Sequence, residues 1–467
     1  MEDKEVKVID TSNNNGSNRC PNCGVSDVTY DINKKKLICN YCHTEFEPQE
    51  VEGIEKEAKN LNEEVRGSGT HDINANASDI ITIKCDGCGA EIVINTKESI
   101  NARCHWCRSI LSINSQVENG IVPDMILPFS LSKEEAKKKI EEFVNKRKFF
   151  GNPQFKYEFT TDNIIGVYFP YMLVDANCRG SFRGQGGHLA NTYTKPTYSE
   201  NGNKTETVYD IDIYNVEREF DLAVDDLSIE SSLDKLDKNN KNKTTNVINS
   251  IMPFDTENCT KYQANYLVGY NSERRDVNVS TLERKVEQEV RDIARFSLNN
   301  DLSFYDCGVR WDEENLVFNG KQWVSAYLPV WLYSYQDKRK VLHYVAVNGR
   351  TGETMGSVPM NKIRLTGLSL LIMLLFIIIP IIGNVDQGMF VLSLISGFLI
   401  STVFYSAKRS KYRNKEARHK YEKETKRELT NIKRTDKKVR TKVSSSIKNI
   451  SGKNNEVIKG ERIEVVK

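Results

Sequence analysis

Eight of the eleven cysteines in this 467-residue chain fall into four Cys-x-x-Cys pairs, and the pairs form two matched sets. Cys20 and Cys23 are followed after fifteen residues by Cys39 and Cys42. Cys85 and Cys88 are followed, again after fifteen, by Cys104 and Cys107. This is the spacing of a four-thiolate zinc site: one knuckle turn brings two thiolates together, and a short hairpin returns the second knuckle to complete a tetrahedron. Disulfides would need an oxidising compartment. A thioredoxin-like redox pair would need one Cys-x-x-Cys at the start of a helix in a larger α/β unit, not four pairs in matched sets. Two zinc ions per chain are expected. A site closed by four sulfurs leaves no position for water or substrate, so the zinc should be structural. His43 and His105 adjoin ligand cysteines whose sets are already complete, and they are read as non-ligands.

The rest of the chain offers little catalytic chemistry. It has no G-x₄-G-K-[ST], H-E-x-x-H or G-x-S-x-G. Gly184-Gln-Gly-Gly-His188 is followed by a polar stretch, not a helix, so it reads as a glycine-rich hairpin rather than a phosphate loop. Cys178, Cys259 and Cys307 stand alone and read as small buried apolar residues. His188 and His343 have no visible partner and read as structural; Asp225-Asp226 reads as solvated loop. No catalytic and no cofactor-binding residue is assigned beyond the eight cysteines.

Several elements must position those thiols. VTYDINKKKLI and EIVINTKESINAR, between the knuckles, read as short strands with turns, and Gly24 and Gly89 supply the left-handed backbone that often follows a first knuckle. GIEKEAKNLNEEVR spaces Ile54, Ala58, Leu61 and Val65 as one short amphipathic helix, and GSGTHDINANAS reads as linker, which would let the ribbons move independently. From Pro123 to Pro359 a helix capped by Ser132, with Ala136, Ile140 and Phe143 inward, leads to the strand IIGVYFPYMLVDANCRGSFRG. A second helix, with Val286, Val290 and Ile293 inward, leads to VSAYLPVWLYSYQ. Tyr168-Phe-Pro-Tyr-Met-Leu173 and Tyr327-Leu-Pro-Val-Trp-Leu332 match at Tyr, Pro and Leu, which suggests an internal duplication. Both prolines are expected at a strand start or bulge. KVLHYVAVNGRTGETMGSVP reads as a hairpin turning near Asn348-Gly349.

The apolar runs from Leu365 to Tyr405 carry no charge, and only the turn GNVDQG between them holds an acid, Asp386. Each run is long enough for a bilayer core and lacks the polar stripe of a soluble core helix. A transmembrane hairpin is expected. Lys362 and Arg364 before it, and Lys408, Arg409, Lys411 and Arg413 after it, place both ends in the cytoplasm; the polar N-terminus shows no signal peptide. The thiols then lie in a reducing compartment, as zinc binding requires. From Lys408 onward 21 Lys/Arg face 8 Asp/Glu, so the overall net charge of +2 hides an acidic body and a basic tail. The tail reads as one that enforces topology and solubility, with docking on anionic lipid as the functional alternative and nucleic-acid or ribosome contact behind it; Glu422–Lys426 reads as one helical ion pair, with disorder beyond Ser444. The ribbons are nearly neutral: four Lys/Arg against four Asp/Glu from Asn18 to Pro48, and four against three from Thr82 to Asn114. Nucleic-acid binding is therefore possible but not favoured, despite the basic tip Lys34–Lys36 and the exposed-type aromatics Tyr41 and Trp106.

A zinc ribbon followed by ILPFSLSKEEAKKKI, GVYFPYMLVDA, MPFDTENCTKYQANYLVGY, VWLYSY, YVAVNGRTGETMGSVP and an apolar hairpin resembles a group of bacterial TFIIB-type zinc-ribbon membrane proteins. These are often loosely labelled primosomal or replication-restart helicases. The resemblance runs from about Ile81 to Tyr405 and implies architecture rather than activity: this chain has no motor motif, and the resemblance supplies no catalytic residues. The extra ribbon at Cys20–Cys42 departs from the single-ribbon pattern.

The expected fold is multidomain α+β. A disordered N-terminus (1–19) precedes ribbon 1 (20–47), a linker with a short helix (48–80) and ribbon 2 (81–115). A duplicated helix-plus-antiparallel-sheet domain follows (116–359, repeats about 123–222 and 250–359). It is succeeded by the transmembrane hairpin (360–407, helices 365–382 and 389–405) and a basic cytosolic tail (408–467). The expected role is a non-enzymatic, membrane-anchored zinc-binding scaffold or regulator, its ribbons contacting a cytosolic protein. The alternatives are a membrane-tethered nucleic-acid binder and a hydrolase whose site lies in the duplicated domain.

Overall fold

The computed structural model describes residues 6–9, 19–25, 27–50, 53–55, 57–73, 80–84, 91–95, 101–103, 110–112, 123–161, 163–199, 202–231, 249–273, 275, 277–299, 302–336, 342–383, 386–412, 437–444 and 464–466. In chain order, β1 (Lys7–Ile9) precedes the small sheet of β2 (Val28–Asp31), β3 (Lys36–Cys39) and β4 (Glu45–Phe46). Then come β5 (Glu64–Gly67), the hairpin of β6 (Ile80–Lys84) and β7 (Glu91–Asn95), and that of β8 (Asn101–Arg103) and β9 (Ile110–Ser112). The body runs through β10 (Met125–Ile126), α1 (Lys133–Asn145), α2 (Pro153–Glu158), β11 (Ile165–Ser199), β12 (Gly202–Glu230), β13 (Thr260–Lys261), β14 (Asn271–Ser272) and α3 (Val279–Asn299). It ends with β15 (Val309–Gln336), β16 (Leu342–Asn348) and β17 (Thr354–Gly356). Two apolar helices follow, α4 (Lys362–Ile382) and α5 (Gln387–Tyr412), and then strands β18 (Lys437–Ser444) and β19 (Glu464–Val466).

One mixed sheet organises the molecule, in the order β1-β5-β15-β11-β12-β18-β19. Its centre is the antiparallel pair β11–β15, where Tyr168 stands opposite Pro329 and Pro170 opposite Tyr327. The two Tyr-x-Pro segments thus face each other across a local two-fold. Their outer neighbours match too. Val167 and Tyr168 pair in parallel with β14, and 159 residues on, Ala326 and Tyr327 pair in parallel with β10. From Tyr171 β11 pairs antiparallel with β12, and from Val330 β15 pairs antiparallel with β16. The short strand before each helix therefore pairs with the long strand that follows the other helix.

The prolines lie in mid-strand, not at a strand start or bulge. Each stands where its strand changes outer neighbour, so the missing N–H breaks no outer ladder. Both carbonyls still accept, Pro170 from the Ser231 amide and Pro329 from the Gly349 amide.

Helix α1 opens with a full capping box between Ser132 and Glu135 and buries Ala136, Ile140 and Phe143, as its sequence predicts. Helix α3 buries Val286, Val290 and Ile293 against Met172, Val174 and Phe182 of β11 and Val216, Phe220 and Leu222 of β12. The Asn348 turn also holds: its side chain accepts from the Arg350 and Thr351 amides and donates to the Ile251 and Pro253 carbonyls.

Five expectations are corrected. The segment around Ala58 is a single 3₁₀ turn, Ala58–Asn60, and Glu64–Gly67 is a strand beside β15 rather than part of an amphipathic helix. The start of the supposed linker is knitted into the body: Gly69 N donates to Asp124 Oδ1 at 2.6 Å, Ile73 N to Asn278 Oδ1, and the buried Arg275 to the His71 carbonyl. Residues 7–9 are not disordered but pair with β5. Gly184–His188 is continuous strand, not a hairpin, and begins at a register shift against β15: a Cβ at Gly184 would lie 2.1 Å from the Arg310 carbonyl oxygen, so glycine permits the close approach of β15. Nor is the tail without structure beyond Ser444: β19 there pairs with β18, which itself pairs with Ile213–Glu219 of β12. Glu422–Lys426 and residues 232–248 lie outside the described residues.

Candidate metal centre and the seat of the apolar helices

The first cysteine set closes as its spacing requires. Each knuckle repeats one backbone pattern. Gly24 N donates to the Cys20 carbonyl and Cys20 N to Val25; His43 N donates to the Cys39 carbonyl and Cys39 N to Thr44, all at 2.9–3.0 Å. Gly24 at φ 71° and His43 at φ 60° take the same left-handed position, so His43 has a backbone role; its side chain is exposed.

The four Sγ atoms lie within 4.8 Å of one another, with Cys20–Cys42 at 3.4 Å and Cys23–Cys39 at 3.6 Å. In a tetrahedron with metal–sulfur bonds of about 2.3 Å the sulfurs stand roughly 3.8 Å apart. The donor set can hold a metal ion and fits zinc in number, type and separation. Hydrogen bonds from Thr44 pull Cys42 down to about 5. Cys23, although a backbone bond from Val25 favours its thiolate, is pushed up to about 12 by burial and by the neighbouring thiols.

Cys85, Cys88, Cys104 and Cys107 lie outside the described residues, as do Gly89 and His105. The flanking backbone forms one hairpin around each knuckle, β6–β7 and β8–β9.

The segment that carries this cysteine cluster is not free. Val28, Leu37, Cys20 and Cys39 join the cluster that holds Tyr168, Tyr266 and Tyr327. Asn265 Nδ2 donates to the Val28 carbonyl at 2.7 Å, the rings of Tyr30 and Tyr266 lie 5.1 Å apart, and Lys261 N donates to Gln49. On its outer side Tyr41 is 74% exposed, while Lys34 and Lys36 pair with Glu45 and Glu47.

The second notable site joins the body to α4 and α5. The α1–α2 connection is clasped at the helix bases: Tyr412 Oη accepts from Phe150 N at 3.2 Å and donates to the Arg147 carbonyl. Arg147 reaches the Lys411 carbonyl, Asn361 N donates to Phe150, and Asn152 N donates to Pro359. Above this seat the helices pack on each other through small residues: Ser401 Oγ donates to the Ser369 carbonyl, Ser393 Oγ to that of Phe376, and Gly397 abuts the Phe376 ring. Both helices are long and apolar enough to cross a membrane. Their outer faces leave Leu371, Leu374, Ile379, Val391, Leu392 and Phe398 more than half exposed.

Asp225 and Asp226 are not solvated loop. They sit at a register shift in the β11–β12 ladder with Asp175, their carboxylate oxygens within 4.8 Å of one another. Asp226 N and Gln322 Nε2 each donate to Asp175. Burial holds the Asp175 carboxyl well above the usual carboxylate range, reinforced by Asp226, and raises Asp225 and Asp226 too.

Of the lone cysteines, Cys178 is buried and pushed up to about 12 by burial, as a packing residue should be, but Cys307 is exposed. His188, expected to lack a partner, has Nδ1 2.8 Å from both the Phe304 carbonyl and Asp306. His343 Nδ1 meets Ser357 Oγ.

No family model matches the sequence, and no solved structure matches it. A curated relative, the Uncharacterized protein YdjG of Bacillus subtilis (strain 168), aligns at 24% identity over 352 residues. The alignment covers 74% of this chain and 91% of the relative. A match of that length extends well beyond either a ribbon or the paired helices.

Nothing in the local pattern around Asn265 and Tyr266 marks them as the dock for the first cysteine cluster. The clasp left a trace: Phe404, Lys408 and Tyr412 recur every four residues and so share one helix face.

Proposed function

We propose that this is a non-enzymatic, membrane-anchored zinc protein that presents a cytosolic surface to a protein partner. The observation that carries the reading is the closed four-thiolate cluster. It offers no open coordination position, and it packs against the body on one side while showing Tyr41 and paired charges on the other. Two of the three lysines at the basic tip are neutralised by Glu45 and Glu47, which favours protein over nucleic acid as the partner.

The metal is read as zinc, two ions per chain. Helices α4 and α5 are read as a transmembrane hairpin with both ends inside, from the lysines and arginines at their bases. The matched pairings 159 residues apart support a duplicated body whose halves have exchanged their first strands. The order of ribbon, body and apolar hairpin also supports kinship with the TFIIB-type zinc-ribbon membrane group.

The test is cross-linking of the full chain in native membranes, comparing wild type with Tyr41→Ala and with Cys85→Ser/Cys88→Ser. A cytosolic protein recovered with wild type and lost with either variant is expected; an identical set from all three would end the reading. Salt-sensitive binding of the full chain to DNA or RNA in detergent would favour the nucleic-acid alternative instead. Orientation is read separately. Asp386→Cys should react with an impermeant maleimide on intact cells, and the exposed Cys307 only after permeabilisation.

A further inference from the structure

We propose that the connection between α1 and α2, residues 146–150, together with the bases of α4 and α5, is a contact surface for an anionic phospholipid bilayer. The inference rests on the reading of α4 and α5 as membrane-spanning and adds that the body itself touches the headgroups.

Three separate stretches of chain meet here: residues 145–153, 360–364 and 404–412. Together they hold eight Lys/Arg and no Asp/Glu, in a chain whose residues before Lys408 are acidic overall. Arg147 is turned inward to the Phe143 and Lys411 carbonyls. Lys146, Lys148, Lys362, Arg364 and Lys411 are exposed.

The level of this surface is fixed by contacts. The Phe150 ring lies 6.4 Å from that of Phe404, which belongs to the apolar run of α5, and 6.2 Å from that of Tyr412, two turns further on. The connection therefore spans the step from the apolar run to its charged flank, the depth at which headgroups would lie. At that depth Phe149 is 57% exposed, yet its ring is held edge-on to Phe150 at 4.7 Å and beneath the Arg364 guanidinium at 4.4 Å. An exposed aromatic preceded in the chain by the exposed Lys146 and Lys148 matches the chemistry of a bilayer interface: the ring leaves water, and the ammonium groups meet phosphates.

A Lys near an anionic surface contributes about 1 kcal/mol, roughly fivefold in local lipid occupancy. The full chain in vesicles of equal phosphatidylcholine and phosphatidylglycerol, with benzoylphenylalanine in place of Phe149, should photo-cross-link lipid, and phosphatidylglycerol should dominate the adducts by roughly fivefold or more. In Lys146→Gln/Lys148→Gln the adducts should persist with that preference sharply reduced. The same probe in place of the exposed Leu374 reports on the hairpin, and in place of Tyr193, distant on β11, on background. Lipid adducts at 374 but not at 149 would overturn the proposal and leave the hairpin standing. Adducts at 149 with no headgroup preference would overturn its anionic part, and in native membranes a protein adduct at 149 replacing lipid would overturn it outright. Absence of lipid adducts at 374 would overturn the hairpin, and this inference with it.

Discussion

Changing Cys39 to Ser should uncouple the first ribbon from the body, and the size of the effect follows from the contacts between them. Cys39 supplies a thiolate and, through its carbonyl and amide, closes the second knuckle. A structural zinc site is worth about 10–16 kcal/mol, comparable to the whole stability of a domain, so losing one ligand should unfold residues 20–46 locally. The body then loses the Val28 carbonyl beneath the buried Asn265 amide, about 1–3 kcal/mol, and the Tyr30–Tyr266 ring pair, about 0.5–1.5 kcal/mol. Together these destabilise the body by about 2–4 kcal/mol, a melting shift of roughly 4–16 °C. In the purified full chain, elemental analysis should give about two zinc per chain for wild type and about one for Cys39→Ser. Hydrogen exchange should accelerate across residues 20–46 and 260–272 and remain slow in the β11–β12–β15 ladder. Tyr30→Ala should keep both metals and reproduce only part of the shift. If Cys39→Ser retains two zinc, or loses one while residues 260–272 exchange as in wild type, the cluster and the body are not coupled; iron in place of zinc would overturn the metal assignment.

The remaining expectations concern the body and its seat. Asp175 is held protonated above its ordinary range, so the folded chain binds more protons than the unfolded one and stability should fall as pH rises from the usual carboxylate range through the raised folded-state value. Asp175→Asn should remove that slope and melt above wild type near neutral pH; parallel melting curves from about pH 4 to 8 would refute the assignment. Gly184→Ala drives a methyl into the Arg310 carbonyl and should cost at least about 3 kcal/mol, seen as loss of monodisperse protein in detergent; a melting point within about 1 °C of wild type would show that the strands can part. Tyr412→Phe leaves the Phe150 amide without its acceptor, so exchange across residues 146–152 should accelerate at a cost of about 1–3 kcal/mol, and unchanged exchange would argue against a rigid seat.

The sequence was most legible where chemistry or periodicity is local. Cysteine spacing located the first cluster, the Ser132–Glu135 box began α1, three-four spacing chose the inward faces of α1 and α3, and two uninterrupted apolar runs became α4 and α5. It was least legible where a segment borrows its structure from a distant one. Ile54, Ala58, Leu61 and Val65 keep helical spacing, but Val65 is buried as a strand residue because β15 offers it an open edge. Tertiary pairing there overrides a weak local preference. Asp225 and Asp226 look like loop until the β11–β12 register shift brings Asp175 beside them, and that pairing depends on contacts 50 residues apart. His188 gained Asp306 in the same way, across more than a hundred positions.

The exchanged pairing at the centre of the sheet also sets the order in which the molecule can be made. At roughly 5–20 residues per second, Tyr327 is added about 8–32 s after Tyr168. Through that interval β11 has β12 to pair with, but neither β15 nor β14 for much of it, and β10 must wait for Ala326 and Tyr327 before it has any parallel partner. The body therefore closes only when its last long strand appears, a few dozen residues before the first apolar helix. For the ribosome, finishing the sheet and delivering that helix fall close together in time, so a pause before Lys362 would give the nascent body its opportunity to close while the chain is still attached.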